Sequence, residues 1–358
     1  MLASLNVSLI ADIQSGFKRM TQQILIKNLL MDSEQPLQSP ALLTRLFGWT
    51  MLTTLFTYLL NNYLSIDRDL PGAGQLFMGN FSIGSVMQLC IYLIGFAIAA
   101  AYVYRDRTRA LRDDAKLITR FNTYLIRGCF FAVLFVGLAD MAISFLRVEG
   151  ILGNYFSEEM VKELGRPNFR GLYVHYPLIA AGFFIALFTR TLGFQWLALL
   201  IVAAELTIVI TRFIFSYEQA FMGDLVRFWY AALFLFASAY TLLHEGHVRV
   251  DVFYAGLSRR AKGRVNTVGA ILFGMALCWT ILIIGLKGKA SIIYGPLNNF
   301  EVSQSGFGMY TKYLMAGYLG IFAISMLIQF VSQLFDARAD MRNDPGAPEP
   351  VSEALATH

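Results

Sequence analysis

Long apolar runs alternate with short polar stretches along this chain, and the run lengths dictate what they form. A helix needs about 20 mostly apolar residues to cross a hydrocarbon core of about 30 Å. Eight runs qualify, at 46–64, 82–104, 123–146, 175–189, 192–215, 225–243, 266–286 and 312–335. The fourth and fifth form one stretch, residues 175–215, broken only at Thr189-Arg190-Thr191 and Gly193. As a single helix it would be about twice as long as the core is thick, so it folds back with Arg190 at the tip. The fourth span is then short.

The ends of the chain differ from its middle. In Met1–Leu30, the residues Leu9, Ile10, Ile13, Phe17 and Met20 recur at helical spacing, with Lys18, Arg19 and Lys27 turned toward headgroups. This predicts an amphipathic helix lying on a membrane surface. The tail beyond Asp336 carries Pro345, Pro348 and Pro350 and reads as disordered. The expected organisation is all-α. An interfacial lead-in covers 1–45, four-span units cover 46–189 and 190–338, and the tail covers 339–358.

Composition sharpens this picture. Of 358 residues, 56% are apolar and 15% charged, against about 25% charged in a soluble domain. That excess excludes a disordered chain, a disulfide scaffold and most soluble enzymes. The net charge of +5 belongs to basic loops rather than to nucleic-acid binding. With the N-terminus in the cytoplasm, inside segments hold 18 Lys and Arg and outside segments hold 7. The bias places both termini in the cytoplasm. Cys90, Cys129 and Cys278 sit in apolar runs and read as small buried hydrophobes.

The two halves look like copies. Phe77-Met78-Gly79-Asn80 recurs as Phe221-Met222-Gly223-Asp224, and Arg120-Phe121-Asn122-Thr123 as Arg264-Val265-Asn266-Thr267. Tyr173 and Tyr176 resemble Tyr310 and Tyr313. Four spans per copy keep one orientation, which predicts a parallel repeat.

The most readable stretch is Gly246-His247-Val248-Arg249-Val250-Asp251, followed by Arg259-Arg260-Ala261-Lys262. Thr211-Arg212-Phe213-Ile214-Phe215 ends the preceding span, and Asp224 and Arg227 open the next. Over roughly 190–338 this resembles the small permease subunit of TRAP (tripartite ATP-independent periplasmic) transporters. The resemblance implies a non-enzymatic scaffold in the bacterial inner membrane. Its implied partners are a large permease subunit and a periplasmic substrate-binding protein, in sodium-driven symport of a small organic solute, by family habit a carboxylate. Such subunits usually have four spans, and four more precede them here. The first half reads Tyr104-Arg105-Asp106-Arg107-Thr108-Arg109 where the second carries its Gly-His motif.

The chemistry-bearing residues fall into two groups. Gly246 suits the end of a span, and Val250, Phe253 and Leu257 form an apolar stripe. Beside it Arg249, Arg259, Arg260, Lys262 and Arg264 reach lipid phosphates, which gives an interfacial arm. His244 and His247 share a helical face, where a structural role outweighs a metal or proton relay. Glu205 and Asp140 lie inside spans, where a charge is costly. Each has an arginine seven residues on, Arg212 and Arg147 respectively. They serve either as coupling groups of a stand-alone carrier or as carboxyls bonding neighbouring helices, and the second reading is favoured. No phosphate loop, nucleophile with its base, or zinc spacing stands out, so no cofactor or metal is expected. A haem would need histidines facing each other, and His175 lies at the end of the bundle opposite His244 and His247. An anchor for a redox enzyme is the remaining alternative.

Overall fold

The computed structural model describes residues 41–190, 194–217, 219–243, 254, 256–303 and 308–346. The expected N-terminal surface helix, the motif Gly246–Asp251 and the end of the tail lie outside the described residues. Within them all regular structure is helical. The eight long helices are α1 (Leu42–Ile66), α2 (Ile83–Arg105), α3 (Leu111–Val148), α4 (Pro167–Phe188), α5 (Phe194–Ile214), α6 (Met222–Leu243), α7 (Arg259–Gly285) and α8 (Lys312–Arg342).

Seven of these helices are long and apolar enough to cross a membrane; α1 is not among them. It has the length, but Arg45, Thr57 and Asn61 are buried within it. Each of these side chains makes a hydrogen bond inside the protein, with Arg45 Nη2 and Asn61 Oδ1 left over. Asn61 donates to the Gln88 carbonyl at 3.1 Å, and Thr57 donates to the Thr53 carbonyl of its own helix at 3.0 Å.

The fourth span differs from the expected 175–189. It starts at Pro167 and runs 22 residues, long enough to cross. Proline opens it, where its missing N–H costs nothing. A π-helical turn at Gly171–His175 carries Arg170 and His175 inward. The helix ends at Phe188 and α5 begins at Phe194, so Arg190 lies in the connection, where the apolar run had to turn. Cys129 and Cys278 are buried as expected, but Cys90 is exposed on α2.

Consecutive helices pack as pairs: α1 with α2, α3 with α4, α5 with α6, and α7 with α8. That pairing repeats between the halves, but the contacts joining the pairs do not. In the second half α6 packs on α8, while α2 and α4 make no comparable contact. Instead α3 packs on both α6 and α8. Two glycines set the closest approaches to a neighbouring backbone. A Cβ on Gly182 of α4 would lie 2.4 Å from the Ala132 backbone nitrogen of α3. One on Gly263 of α7 would lie 2.6 Å from the Ala337 carbonyl oxygen of α8. Small residues let helix backbones meet where lipid supplies no hydrophobic drive.

The contact between α3 and α8 is also polar. Ser332 donates to the Ala115 carbonyl at 2.9 Å and lies 2.8 Å from the Thr119 hydroxyl. Asn122 donates to the Ser325 carbonyl at 3.0 Å and to Gln329 Oε1 at 3.1 Å. Next to this seam Phe228, Phe236, Leu327, Val331 and Phe335 are fully buried.

Candidate functional site

Asp140 is the centre of the most elaborate buried site. It lies two turns inside the end of α3 and is fully buried, as are Arg170 and His175 of α4. Its Oδ1 accepts from Arg170 at 2.9 Å and from His175 Nε2 at 3.0 Å. The carboxylate is the acceptor, so Nε2 carries a proton. The other ring nitrogen meets the Tyr313 hydroxyl of α8 at 2.8 Å. Asp140 Oδ2 accepts the backbone N–H of Tyr310 at 2.8 Å.

Arg170 is satisfied on every side. It donates to the Leu164 carbonyl at 3.0 and 2.8 Å and to the Ser144 hydroxyl at 3.3 Å. Its guanidinium carbon stands 4.1 Å from the Tyr310 ring centroid. Arg147, expected beside Asp140, instead donates to the Tyr310 hydroxyl and to the Gly308 carbonyl. The Asp140 carboxyl thus joins α3, α4 and the start of α8, with Arg170 and His175 rather than Arg147 as its partners.

Asp224 repeats the theme on α6. Its Oδ2 accepts from the Met309 backbone N–H at 3.2 Å and from Ser303 at 3.1 Å. Arg227, one turn on, lies 3.7 Å from its other oxygen and is largely exposed. Outside the spans, Tyr294 donates to Asp67 and Lys289 pairs with Asp69 at 2.9 Å, so the 286–300 segment is tied to the end of α1. Burial, then the bond to Asp67, raises the Tyr294 hydroxyl above the usual phenol range.

The opposite end of the bundle holds a second ionic cluster. Arg45 of α1 and Asp114 of α3 are fully buried and 2.7 Å apart. Trp49 donates to the same carboxylate at 3.1 Å, and Arg109 lies 2.9 Å from its other oxygen. Arg112 of α3 reaches Asp340 at 2.7 Å and Asp336 at 3.4 Å on α8. Arg259 of α7, expected at lipid phosphates, pairs with Asp340 at 3.0 Å. Lys262 lies over the Tyr254 ring at 5.4 Å. Asp114 and Arg112 escaped the sequence reading because the 105–122 segment read as a basic loop, and Arg45 because it fell in the 1–45 lead-in. Leu111, Ala115 and Ile118, buried at one-turn spacing, were the signal that it is the first turns of α3.

Glu205 stands apart from both clusters. It is exposed on α5, and no contact links it to Asp140 or to Arg212, which is also exposed. Among the described residues no group of three or more His, Cys, Asp and Glu side chains is placed to hold a metal. A cavity of about 240 Å³ between α3, α4, α6 and α8 is lined by Val133, Val136, Phe183, Phe228, Phe236 and Tyr318 and by other apolar residues, with no charged group among its lining.

Residues 198–339 match the family model described as tripartite ATP-independent periplasmic transporters, DctQ component. Over that segment the chain is similar to the small permease component of TRAP transporters. Comparison with curated proteins and with solved structures found no match. The TRAP match begins within α5 and ends within α8, so it takes in α6, α7 and Asp224 but leaves out Asp140, Arg170 and His175. The DctQ family is one of transporter components, not of enzymes.

Proposed function

We propose that this chain is the small integral-membrane subunit of a TRAP transporter, in an enlarged form. It acts as a scaffold for the large permease subunit. That subunit takes up a small organic solute, a carboxylate by family habit, with sodium, and a periplasmic binding protein delivers the solute. The bilayer is the bacterial inner membrane, with both termini in the cytoplasm, as the charge bias of the loops favours. The basic residues Arg260, Lys262 and Arg264 are read as contacts to lipid phosphates at that side.

One observation carries the scaffold reading. Asp140, fully buried between α3, α4 and the start of α8, is matched by Arg170, His175 and a backbone amide. A carboxylate whose two oxygens are both bonded to neighbouring segments joins helices, whereas a coupling site needs room for a cation and a path to it. The first half then extends the TRAP unit through α3, which packs on both α6 and α8.

Co-expression with the large permease subunit tests this reading. The expected result is a stable complex in mild detergent that takes up solute with sodium in proteoliposomes, and no transport by either chain alone. Transport by this chain alone would establish the stand-alone carrier instead.

A further inference from the structure

We propose that the exposed face of α5 around Glu205 is the surface on which the large permease subunit docks. Its helix there presents a hydrogen-bond donor to the Glu205 carboxyl at mid-membrane depth. This rests on the scaffold reading above and adds to it which face, which residue and which chemistry make the joint.

The depth of Glu205 comes from its place in the helix. It is the twelfth of 21 residues in α5. At 1.5 Å per residue it stands about 16 Å from one end and about 13 Å from the other. An ionisable group at that depth is costly against acyl chains and turns toward protein or water. Within the chain it does neither, because α5 packs on α6 through Leu197, Ile201 and Ala204 and leaves Glu205 outside. Val202, Leu206, Val209 and Phe213 flank it and are 49–78% exposed.

Other exposed faces lack such a group. On α2, Val86, Leu93, Ile94, Phe96 and Ile98 are exposed with no Asp, Glu, Lys or Arg before Arg105. On α7, Leu272, Phe273, Leu277, Ile283 and Ile284 are exposed with no such residue after Arg264. Those faces suit lipid. Among the described residues, the α5 face alone combines exposed apolar side chains with a carboxyl at mid-span.

Charge decides the occupant. A symmetric pair of copies brings the same face of each together. It would set two Glu205 carboxyls at one depth. The basic residue of α5, Arg212, lies seven residues on, about 10 Å along the axis. A second copy therefore brings another carboxyl to that depth, and no basic or amide side chain. A different chain with Arg, Lys, His, Asn or Gln at that depth satisfies Glu205. The face also runs into the TRAP segment, which begins at residue 198.

The test places a photo-crosslinking amino acid at Val202 or Leu206, and as a control at Leu93 on α2, in the co-expressed complex. Adducts with the large permease subunit are expected from 202 and 206 and not from 93. In the same complex Glu205→Leu, which suits a lipid-facing position and so keeps the fold, is expected to lower co-purification of the large subunit roughly fivefold. Glu205→Gln, which keeps an acceptor, should lower it less. Adducts with lipid or with a second copy at 202 and 206, or full co-purification with Glu205→Leu, overturn the proposal. If the unsubstituted chain itself forms no complex, the scaffold reading fails as well; if it forms one without crosslinks at 202 and 206, only the docking face is wrong.

Discussion

The backbone N–H of Tyr310 donates to Asp140 Oδ2 at 2.8 Å, across 170 residues of sequence. The preceding amide, Met309, donates to Asp224 on a different helix. Two successive amides at the entry to α8 thus fasten it to α3 of the first half and α6 of the second. Because α3 lies outside the TRAP match and α6 inside it, this corner joins the N-terminal half to the matched segment.

Asp140→Asn leaves the Arg170 guanidinium buried without its counter-charge. Breaking a buried pair from one side costs about 3–5 kcal/mol. Thermal unfolding of the purified protein in detergent should show a clear fall in the midpoint. Replacing Arg170 by Gln in the same chain should recover part of it, because the two residues are coupled. An additive loss would contradict the pairing.

The polar seam between α3 and α8 should be worth less per bond. Interhelical hydrogen bonds in membranes average about 0.6 kcal/mol and reach about 1.7. Asn122→Leu removes bonds to Ser325 and Gln329, so a loss of about 1 kcal/mol is expected in chemical unfolding. Ser332→Ala, which loses the bond to the Ala115 carbonyl, should cost a similar amount.

Gly182→Ala tests the closest approach. The new methyl would meet backbone atoms of Ala132 at 2.4 and 2.8 Å, and backbone cannot swing aside as a side-chain tip can. A loss of about 1–3 kcal/mol is expected, as for overpacked cores. Gly74 has open space around it, so the same change there should be silent.

Arg112 makes a milder joint at the other end. Its partners Asp336 and Asp340 are 49% and 28% exposed, and such pairs contribute about 1 kcal/mol or less. Arg112→Gln should lower stability slightly at low salt, and the difference should shrink toward 1 M salt.

The helical class and most spans were legible because apolar run length is a direct readout of membrane thickness. The fourth span was read short for a physical reason. Arg166, Asn168 and Arg170 break the apolar run ahead of residue 175, yet Arg170 is buried against Asp140. A buried polar pair makes a helix look like a loop. The same effect kept α1 out of the strongly apolar set. The partner of Asp140 was misread because helical spacing reveals neighbours on one helix only. Arg147 lies two turns on, whereas Arg170 returns from the next helix. Glu205 was legible as a buried ionisable in sequence, but its exposure on α5 depends on which face α6 covers. That is decided by packing.

The sodium dependence of uptake per assembled complex, measured in proteoliposomes carrying Glu205→Gln, tests the scaffold role most directly. An unchanged sodium midpoint and steepness, with assembly reduced, is the expected result. A shifted or abolished sodium response in complexes of normal yield would contradict it and make this chain part of the coupling machinery.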